Sequence, residues 1–300
     1  MQHPTLTENA GDVPLTVIDF RTYPVQVNEL YEIDPSLKGP VKEIFGFYCG
    51  SQPLSTLIGQ LDVAGIDKAV LATVDCTTAH GAAVVPNEVL AKLVAKSDRL
   101  VGLASVDPRD PSAPLQLEHA VESLGLKGLN LDPALQQFQV ADEKAAFPVY
   151  DKANQLGISV TFQMGLNWAP LARLGDANPV SLERVATTFP DLRIVIAHCA
   201  WPYTMEALAL AIKHPNIYLD TAILYSARPE SSLAAVYANQ YGLDVIEASL
   251  REKIVFASDY PRVDPKRVAR AVRMLGLRPL TEKMIFGENA ATLLNRKAAQ

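Results

Sequence analysis

The residues best suited to chemistry lie where runs of apolar residues end. Residues 254–261 read I-V-F-A-S-D-Y-P, an apolar run that stops at Asp259. Such a run is typical of a buried parallel strand, and the carboxyl ends of parallel strands are where binding and catalysis gather. Because Asp264-Pro265 already supplies a start for the next helix, Asp259 is not needed as its cap. We therefore interpret Asp259 as a catalytic carboxylate in preference to a helix cap.

Other polar side chains end apolar runs in the same way. Arg21 closes the first run, and a buried arginine needs an anion close by. His198 follows five apolar residues and is interpreted as a second catalytic residue, with a core histidine as the alternative. Asp220 also ends a run, but there a structural cap is the preferred interpretation. Six further residues are candidates for binding a substrate: Tyr23, Lys127, Asn130, Gln163, Trp201 and Arg262.

Two of these six candidates have structural alternatives that the sequence leaves open. Lys127 is as well explained by a side chain that points to solvent. Trp201 and the nearby Tyr203 could wall a planar substrate or serve only in packing.

Eight apolar runs that alternate with helical patterns would position these residues. This alternation predicts a parallel α/β sheet, and eight such units in one domain fit a closed (β/α)8 TIM barrel. An open doubly wound sheet is the weaker alternative, because no glycine-rich phosphate turn follows the first strand. We expect a barrel domain over residues 15–300, with 1–14 as an N-terminal arm and a long first βα loop over 25–52. The predicted strands are 15–20, 67–74, 100–106, 126–131, 158–164, 193–200, 216–222 and 253–259.

Composition excludes several classes of function. Of 300 residues, 49% are hydrophobic, and the net charge of −6 lacks the basic patch of a nucleic-acid-binding protein. No apolar stretch is long enough for a membrane span, and the polar N-terminus lacks the apolar core of a signal peptide. Three widely spaced cysteines do not form a disulfide framework. We expect a cytoplasmic enzyme with a small-molecule partner, and a homodimer is plausible because exposed helix faces of barrels often pair.

Several motifs together resemble the amidohydrolase-related family, which includes the aminocarboxymuconate-semialdehyde decarboxylase-like enzymes, benzoate-type decarboxylases and metal-free pyrone lactonases. The motifs are I-D-F-R-T-Y-P, I-A-H-C-A-W-P, H-P-N-I-Y-L-D, F-A-S-D-Y-P and the C-terminal G-E-N-A-A-T-L-L. The resemblance covers nearly the whole chain. It implies a barrel that, in most members, holds one metal ion through His-x-His after strand one, a histidine after each of strands five and six, and an aspartate after strand eight.

This chain departs from that metal-binding pattern and is a divergent member. Arg21 and Tyr23 replace the His-x-His pair, Gln163 replaces the strand-five histidine, and only His198 and Asp259 match. A catalytic zinc site uses about three protein ligands, and a guanidinium cannot coordinate a cation. We therefore expect no cofactor. The alternative is a weakly bound divalent metal such as zinc, held by His198 and Asp259.

The substitution of arginine for a metal ligand suggests a mechanism. Arg21 would hold a carboxylate or a developing oxyanion in place of the metal. Asp259 would be the general base, with His198 as the acid or an orienting partner. A carboxylate beside an arginine is a weak base, which suits an activated ester. The hypothesis is a metal-independent hydrolase of a small carboxylated ring compound, most simply a lactone.

Two alternatives to a lactonase stay open. The first is a non-oxidative decarboxylase or other lyase of an aromatic acid. The second is a catalytically inactive barrel that only binds a ligand. Replacing Asp259 with asparagine would separate the two classes. An enzyme would lose turnover, whereas a binding module would keep most of its affinity for the ligand.

Overall fold

The computed structural model describes residues 15–222 and 228–296. Eight parallel strands form the centre of the domain, and each overlaps its predicted range. The strands are β1 (Ile18–Thr22), β2 (Lys68–Leu71), β3 (Leu100–Gly102), β4 (Gly128–Leu131), β5 (Ser159–Gln163), β6 (Ile194–Ala197), β7 (Ile217–Asp220) and β8 (Ile254–Val255). β1 begins and ends later than predicted, so Arg21 lies within the strand and does not follow it.

The strands close into a barrel. They pair in two parallel sheets, with the orders β1-β2-β3 and β8-β7-β6-β5-β4. One junction is made by Ala104, which bridges in parallel to β4 and donates its N–H to the carbonyl of Gly128 at 2.8 Å. At the other junction, Phe20 N donates to Phe256 O at 2.8 Å and Asp259 N donates to Arg21 O at 2.9 Å. The barrel is therefore continuous, as the sequence predicted.

Helices surround the barrel and cover its apolar outer face. All four residues of β6 are buried, so both faces of this strand are covered, as in other parallel sheets. The α-helices that follow residue 50 are Leu54–Ala64, Thr77–His80, Asn87–Val94, Ala113–Glu122, Pro133–Gln136, Phe147–Gln155, Leu182–Thr188, Thr204–Lys213, Pro229–Leu233, Leu243–Val245, Pro265–Arg273, Pro279–Lys283 and Asn289–Leu294. The helix after β8 begins as predicted, because the Asp264 side chain accepts the N–H of Lys266 at 2.9 Å.

Several shorter elements complete the described chain. Wider π-helical turns occupy Ala234–Tyr241, Ile246–Leu250 and Met284–Glu288. Single 3-10 turns occupy Leu174–Ala177, Pro179–Ser181 and His198–Ala200. A small antiparallel hairpin pairs Asp75–Cys76 with Ala82–Ala83.

The first βα connection corrects one expectation from the sequence. The sequence predicts a loop over 25–52, but the chain there forms the short helices Pro24–Gln26, Asn28–Ile33, Pro35–Leu37 and Lys38–Glu43. Leu30, Leu37 and Val41 are buried against the core, and this packing stabilises helices too short to form alone. The expected N-terminal arm, 1–14, lies outside the described residues. No helix within the described ranges is long and apolar enough to cross a membrane.

Candidate active site

Arg21 reaches from β1 across the inside of the barrel. Its Nη1 donates to the side-chain oxygen of Asn130 on β4 at 3.1 Å, and its Nη2 donates to the Tyr23 hydroxyl at 2.5 Å. Nη2 also makes a short hydrogen bond to Oε1 of Gln163 on β5. Burial lowers the pKa of this guanidinium, but electrostatic interactions with Tyr23, Asp220 and Asp259 help to raise the pKa by more. Arg21 is therefore a buried, permanently charged group.

Gln163 connects Arg21 to His198. Its Oε1 accepts from Arg21 and also lies 2.8 Å from Nε2 of His198. Because a carbonyl oxygen only accepts, both contacts orient the amide with Nε2 of Gln163 turned away from them. The same geometry places a proton on Nε2 of His198 and directs that proton to Gln163. His198 therefore orients the side chain of Gln163 in this arrangement.

Asp259 faces the guanidinium from the end of β8. Its Oδ1 lies 3.8 Å from Nε of Arg21, and its side chain is nearly fully buried. Burial raises the pKa of Asp259 to about 7, although the charges of Arg21 and Arg262 lower it. The sequence suggested a weak base held charged by arginine, whereas here burial outweighs that effect. A carboxyl group with this pKa can both accept and release a proton near neutral pH.

Two adjacent acids show that this environment is rich in buried carboxyl groups. Asp132, just after β4, accepts the N–H of Leu135 at 2.9 Å and the Asn167 amide at 2.5 Å. Asp220, at the end of β7, accepts the N–H of His198 at 2.7 Å. Burial raises the pKa of each acid to about 6, and the charge of Arg21 lowers both. One arginine thus compensates several carboxylates.

A small polar cleft opens above these groups. Its lining residues are Tyr23, Phe45, Asp132, Gln163, Asn167, Trp168, His198, Asp259 and Arg262. The Arg262 guanidinium carbon lies 5.1 Å from the ring centre of Phe45 and 5.9 Å from that of Trp168. Its Nη2 donates to the Phe45 carbonyl at 3.1 Å. Arg262 thereby joins two loops over Asp259, where it can meet an anionic ligand.

The structure places the predicted binding residues in different parts of the barrel. Tyr23, Gln163 and Arg262 line the cleft, while Asn130 lies beneath it as a partner of Arg21. For Lys127 the solvent-facing alternative is confirmed, and the interpretation as a binding residue is wrong. Lys127 immediately precedes β4 and is exposed, so it lies at the amino-terminal end of the barrel, opposite the cleft.

The aromatic wall of the cleft also differs from the sequence prediction. Trp201 is half-buried against the core and is not among the residues that line the cleft. Phe45, Asn167 and Trp168 do line it, and the sequence analysis did not select them because they lie in loops beyond the residues that close the strands. Their only sequence signal is their position in long βα connections, where binding residues are common.

Backbone strain accompanies the turn that carries His198. His198, Cys199 and Ala200 all have positive φ angles, of 57°, 45° and 52°, a region that side chains other than glycine seldom adopt. The turn packs on Gly165, where a Cβ atom would stand 2.2 Å from the carbonyl oxygen of Trp201. Strained backbone of this kind often marks a functional site.

The side chains present do not fit a divalent metal ion. The described residues contain no group of three or more histidine, cysteine, aspartate or glutamate side chains placed to share one ion. Oε1 of Gln163 already accepts protons from Arg21 and His198. The guanidinium lies 3.8 Å from Asp259, where it would repel a second cation.

Comparisons of sequence and structure find several proteins that resemble this chain. The model of the Amidohydrolase family matches residues 60–296. A segment of 44 residues is 41% identical to protein fluG of Emericella nidulans, but it spans 15% of this chain and only 5% of that protein. An uncharacterised TIM-barrel protein of Bordetella bronchiseptica superposes with a TM-score of 0.72 and 23% identity, over 93% of this chain and 98% of that one.

Two further solved structures share the fold. The 5-carboxyvanillate decarboxylase of Sphingomonas paucimobilis superposes with a TM-score of 0.67 and 17% identity, over 95% of this chain and all of that one. A probable 2-pyrone-4,6-dicarboxylic acid hydrolase of Acinetobacter baumannii, crystallised with citric acid, gives a TM-score of 0.65 and 14% identity, over 93% and 99%. At these identities the likeness establishes the TIM-barrel fold alone.

Proposed function

Because this chain belongs to the amidohydrolase family, we propose that it hydrolyses a small carboxylated lactone without a divalent metal, with Asp259 as the general base. The observation that carries the proposal is the position of Arg21. A fixed cation faces the buried Asp259 at 3.8 Å and orients two polar groups of the cleft. It supplies the positive charge that a metal ion would otherwise provide.

The substrate would meet two hydrogen-bond donors that Arg21 orients. The Tyr23 hydroxyl accepts from Arg21 and donates to no other described group, so its proton is available to the cleft. Nε2 of Gln163 is available in the same way. Two donors that converge on a carbonyl oxygen can stabilise the oxyanion of a tetrahedral intermediate. Arg21 thus acts on the oxyanion through these two side chains, and Arg262 binds a carboxylate of the substrate.

The chemical steps use one carboxyl group twice. The Asp259 carboxylate takes a proton from water while the water oxygen bonds to the lactone carbonyl carbon. When the intermediate collapses, the ring C–O bond breaks and the leaving oxygen takes the proton from Asp259. The pKa of Asp259, raised by burial to about 7, supports both roles near neutral pH. No redox step or co-reactant is needed.

A decarboxylase is the second candidate. Two observations favour it. The likeness extends to the 5-carboxyvanillate decarboxylase fold, and a neutral Asp259 carboxyl, well populated at this pKa, could protonate a ring carbon as carbon dioxide leaves. Water takes no part in that reaction, which separates the two proposals experimentally.

The test supplies purified protein with a panel of carboxylated lactones and of hydroxybenzoic acids. Under the hydrolase proposal, lactone opening releases one proton per turnover, survives dialysis against a chelator and disappears in Asp259→Asn. Carbon dioxide release from an aromatic acid would instead favour the lyase. A metal ion at full occupancy on His198 and Asp259 in active enzyme would overturn metal independence. If Asp259→Asn keeps affinity for a ligand that wild-type protein never turns over, the barrel is a binding module.

A further inference from the structure

Two buried polar atoms beneath the cleft have no hydrogen-bond partner among the described residues. They are Nε of Arg21 and Oδ2 of Asp220. Both side chains are essentially inaccessible to solvent. A buried donor or acceptor that stays unpaired is costly, and buried polar groups in folded proteins are nearly always satisfied. Among the described residues these two atoms therefore lack a partner, which a small bound molecule can supply.

The strand register places the residues that carry these atoms at the same end of the barrel. Asp220 pairs with Val255 at the end of β7, next to the strand that leads to Asp259. Asp259 in turn donates its backbone N–H to the carbonyl of Arg21. The charges of Asp220 and Asp259 both raise the pKa of Arg21, and both acids are buried. Asp220 and the guanidinium therefore interact electrostatically, although no ion pair within 4.0 Å joins the two described side chains.

The remaining oxygen of Asp220 is already in use. Oδ1 accepts the backbone N–H groups of His198 at 2.7 Å and Ala222 at 3.0 Å. These two bonds occupy Oδ1, so Oδ2 is the oxygen of Asp220 without a partner among the described residues. Asp259 presents a third polar atom, since its Oδ1 lies 3.8 Å from Arg21 Nε, too far for a direct hydrogen bond.

The chemistry of these three atoms selects their partner. Arg21 Nε only donates, while the two carboxylate oxygens only accept when ionised. The partner must therefore accept one hydrogen bond and donate two. A water molecule does so, and buried waters typically make about three hydrogen bonds. A metal ion would meet the donating N–H of Arg21, and a carbonyl group has no proton for either acid.

We propose that Asp220 is a third catalytic residue, which holds the hydrolytic water together with Arg21 and Asp259. The inference rests on the hydrolase function proposed above and adds a group that the sequence analysis interpreted as a cap. The water donates one proton to Asp220 Oδ2 and the other to Asp259 Oδ1, and it accepts from Arg21 Nε. Asp259 takes its proton as the water oxygen bonds to the carbonyl carbon. Because the water accepts only one hydrogen bond, from Arg21, its second lone pair is free to attack the carbonyl carbon.

The direct test is a crystal structure of the wild-type protein without substrate, at a resolution where ordered waters are placed. The expected result is one water about 2.7–3.2 Å from all three atoms. Arg21 Nε and Asp220 Oδ2 hydrogen-bonded to protein groups instead would overturn the proposal, as would a metal ion at the water position. This measurement needs no substrate, so it stands or falls independently of the lactone assay.

The functional test uses Asp220→Asn. The variant keeps an oxygen to accept from His198 and Ala222, but it places an amide where the water needs an acceptor. We expect kcat on the lactone to fall about 10²-fold, the size seen when one polar contact to a reacting group is removed. KM should change by less than about threefold, since Asp220 does not line the substrate cleft. A kcat within about twofold of wild type would contradict the role.

A matched control separates water binding from capping. Asp107 is also buried, accepts the N–H groups of Thr78 at 2.8 Å and Arg109 at 3.0 Å, and lies beside an arginine, but it does not line the cleft. Asp107→Asn should lower thermal stability about as much as Asp220→Asn, while kcat stays near the wild-type value. Equal losses of kcat in both variants would mean that Asp220 acts only as a structural cap.

Discussion

Removing the charge of Arg21 should shift the pH dependence of catalysis to alkaline pH. Arg21→Met keeps most of the side-chain volume but leaves Asp259 without its nearest cation. At the observed separation of 3.8 Å and an effective dielectric constant of about 20, the attraction between unit charges is about 4 kcal/mol. Since 1.36 kcal/mol corresponds to a tenfold change, the ionised fraction of Asp259 at neutral pH falls by up to about 10³-fold.

Loss of Arg21 should raise the pKa of Asp259. The guanidinium lowers the pKa of Asp259, and burial alone would raise that pKa further. Without Arg21 the base becomes ionised only at higher pH. The acidic limb of kcat/KM, which reports groups of the free enzyme, should therefore move to higher pH, and activity lost at pH 7 should partly return under alkaline conditions.

The assay is a pH–rate profile of lactone opening for three variants. Arg21→Lys keeps the charge but loses the forked geometry, so its profile should keep the wild-type midpoint with a lower plateau. Arg193→Met is the matched control, because Arg193 is also buried but donates to backbone carbonyls, including that of Gly157 at 2.7 Å. Arg193→Met should lower the free energy of unfolding but leave the pH–rate profile unchanged. An Arg21→Met profile with the wild-type midpoint would refute the electrostatic role of Arg21.

Three further predictions concern the turn, the core and the cleft. Gly165→Ala should abolish activity or folding, because its Cβ would stand 2.2 Å from a backbone carbonyl at a φ of +76°, whereas Gly175→Ala, with nothing within 4 Å, should match wild type in activity and melting temperature. In wild type the free energy of unfolding, measured with urea, should fall as pH rises from 5 to 8, and Asp19→Asn should make this fall smaller. Burial raises the pKa of Asp19 from 3.8 to about 7, so the folded wild type binds more protons in that window and loses stability as pH rises; an unchanged slope would contradict this. Arg262→Gln should raise KM for an anionic lactone about tenfold, or about 1.4 kcal/mol, with little change in kcat, and an equal rise for an uncharged lactone would argue against carboxylate binding.

The sequence was sufficient for the architecture and for the residues at strand ends. Apolar runs separated by helical patterns predicted eight parallel strands, and each strand forms within a few residues of its expected place. These patterns are local, because a buried strand needs apolar residues on both faces wherever it lies in the chain. The same logic selected Arg21, His198 and Asp259 as neighbours, since the carboxyl ends of all strands meet at one end of a barrel.

The tertiary structure decided what those side chains do. The partners of Arg21 lie 109 and 142 residues away, and no sequence spacing indicates that Asn130 would orient it while Lys127, three positions earlier, would face the opposite end. The raised pKa of Asp259 depends on its burial in the closed barrel, which no local sequence pattern specifies. Local periodicity determines where a strand runs and ends. The distances between charged groups, and the burial of those groups from water, are set only when the barrel closes.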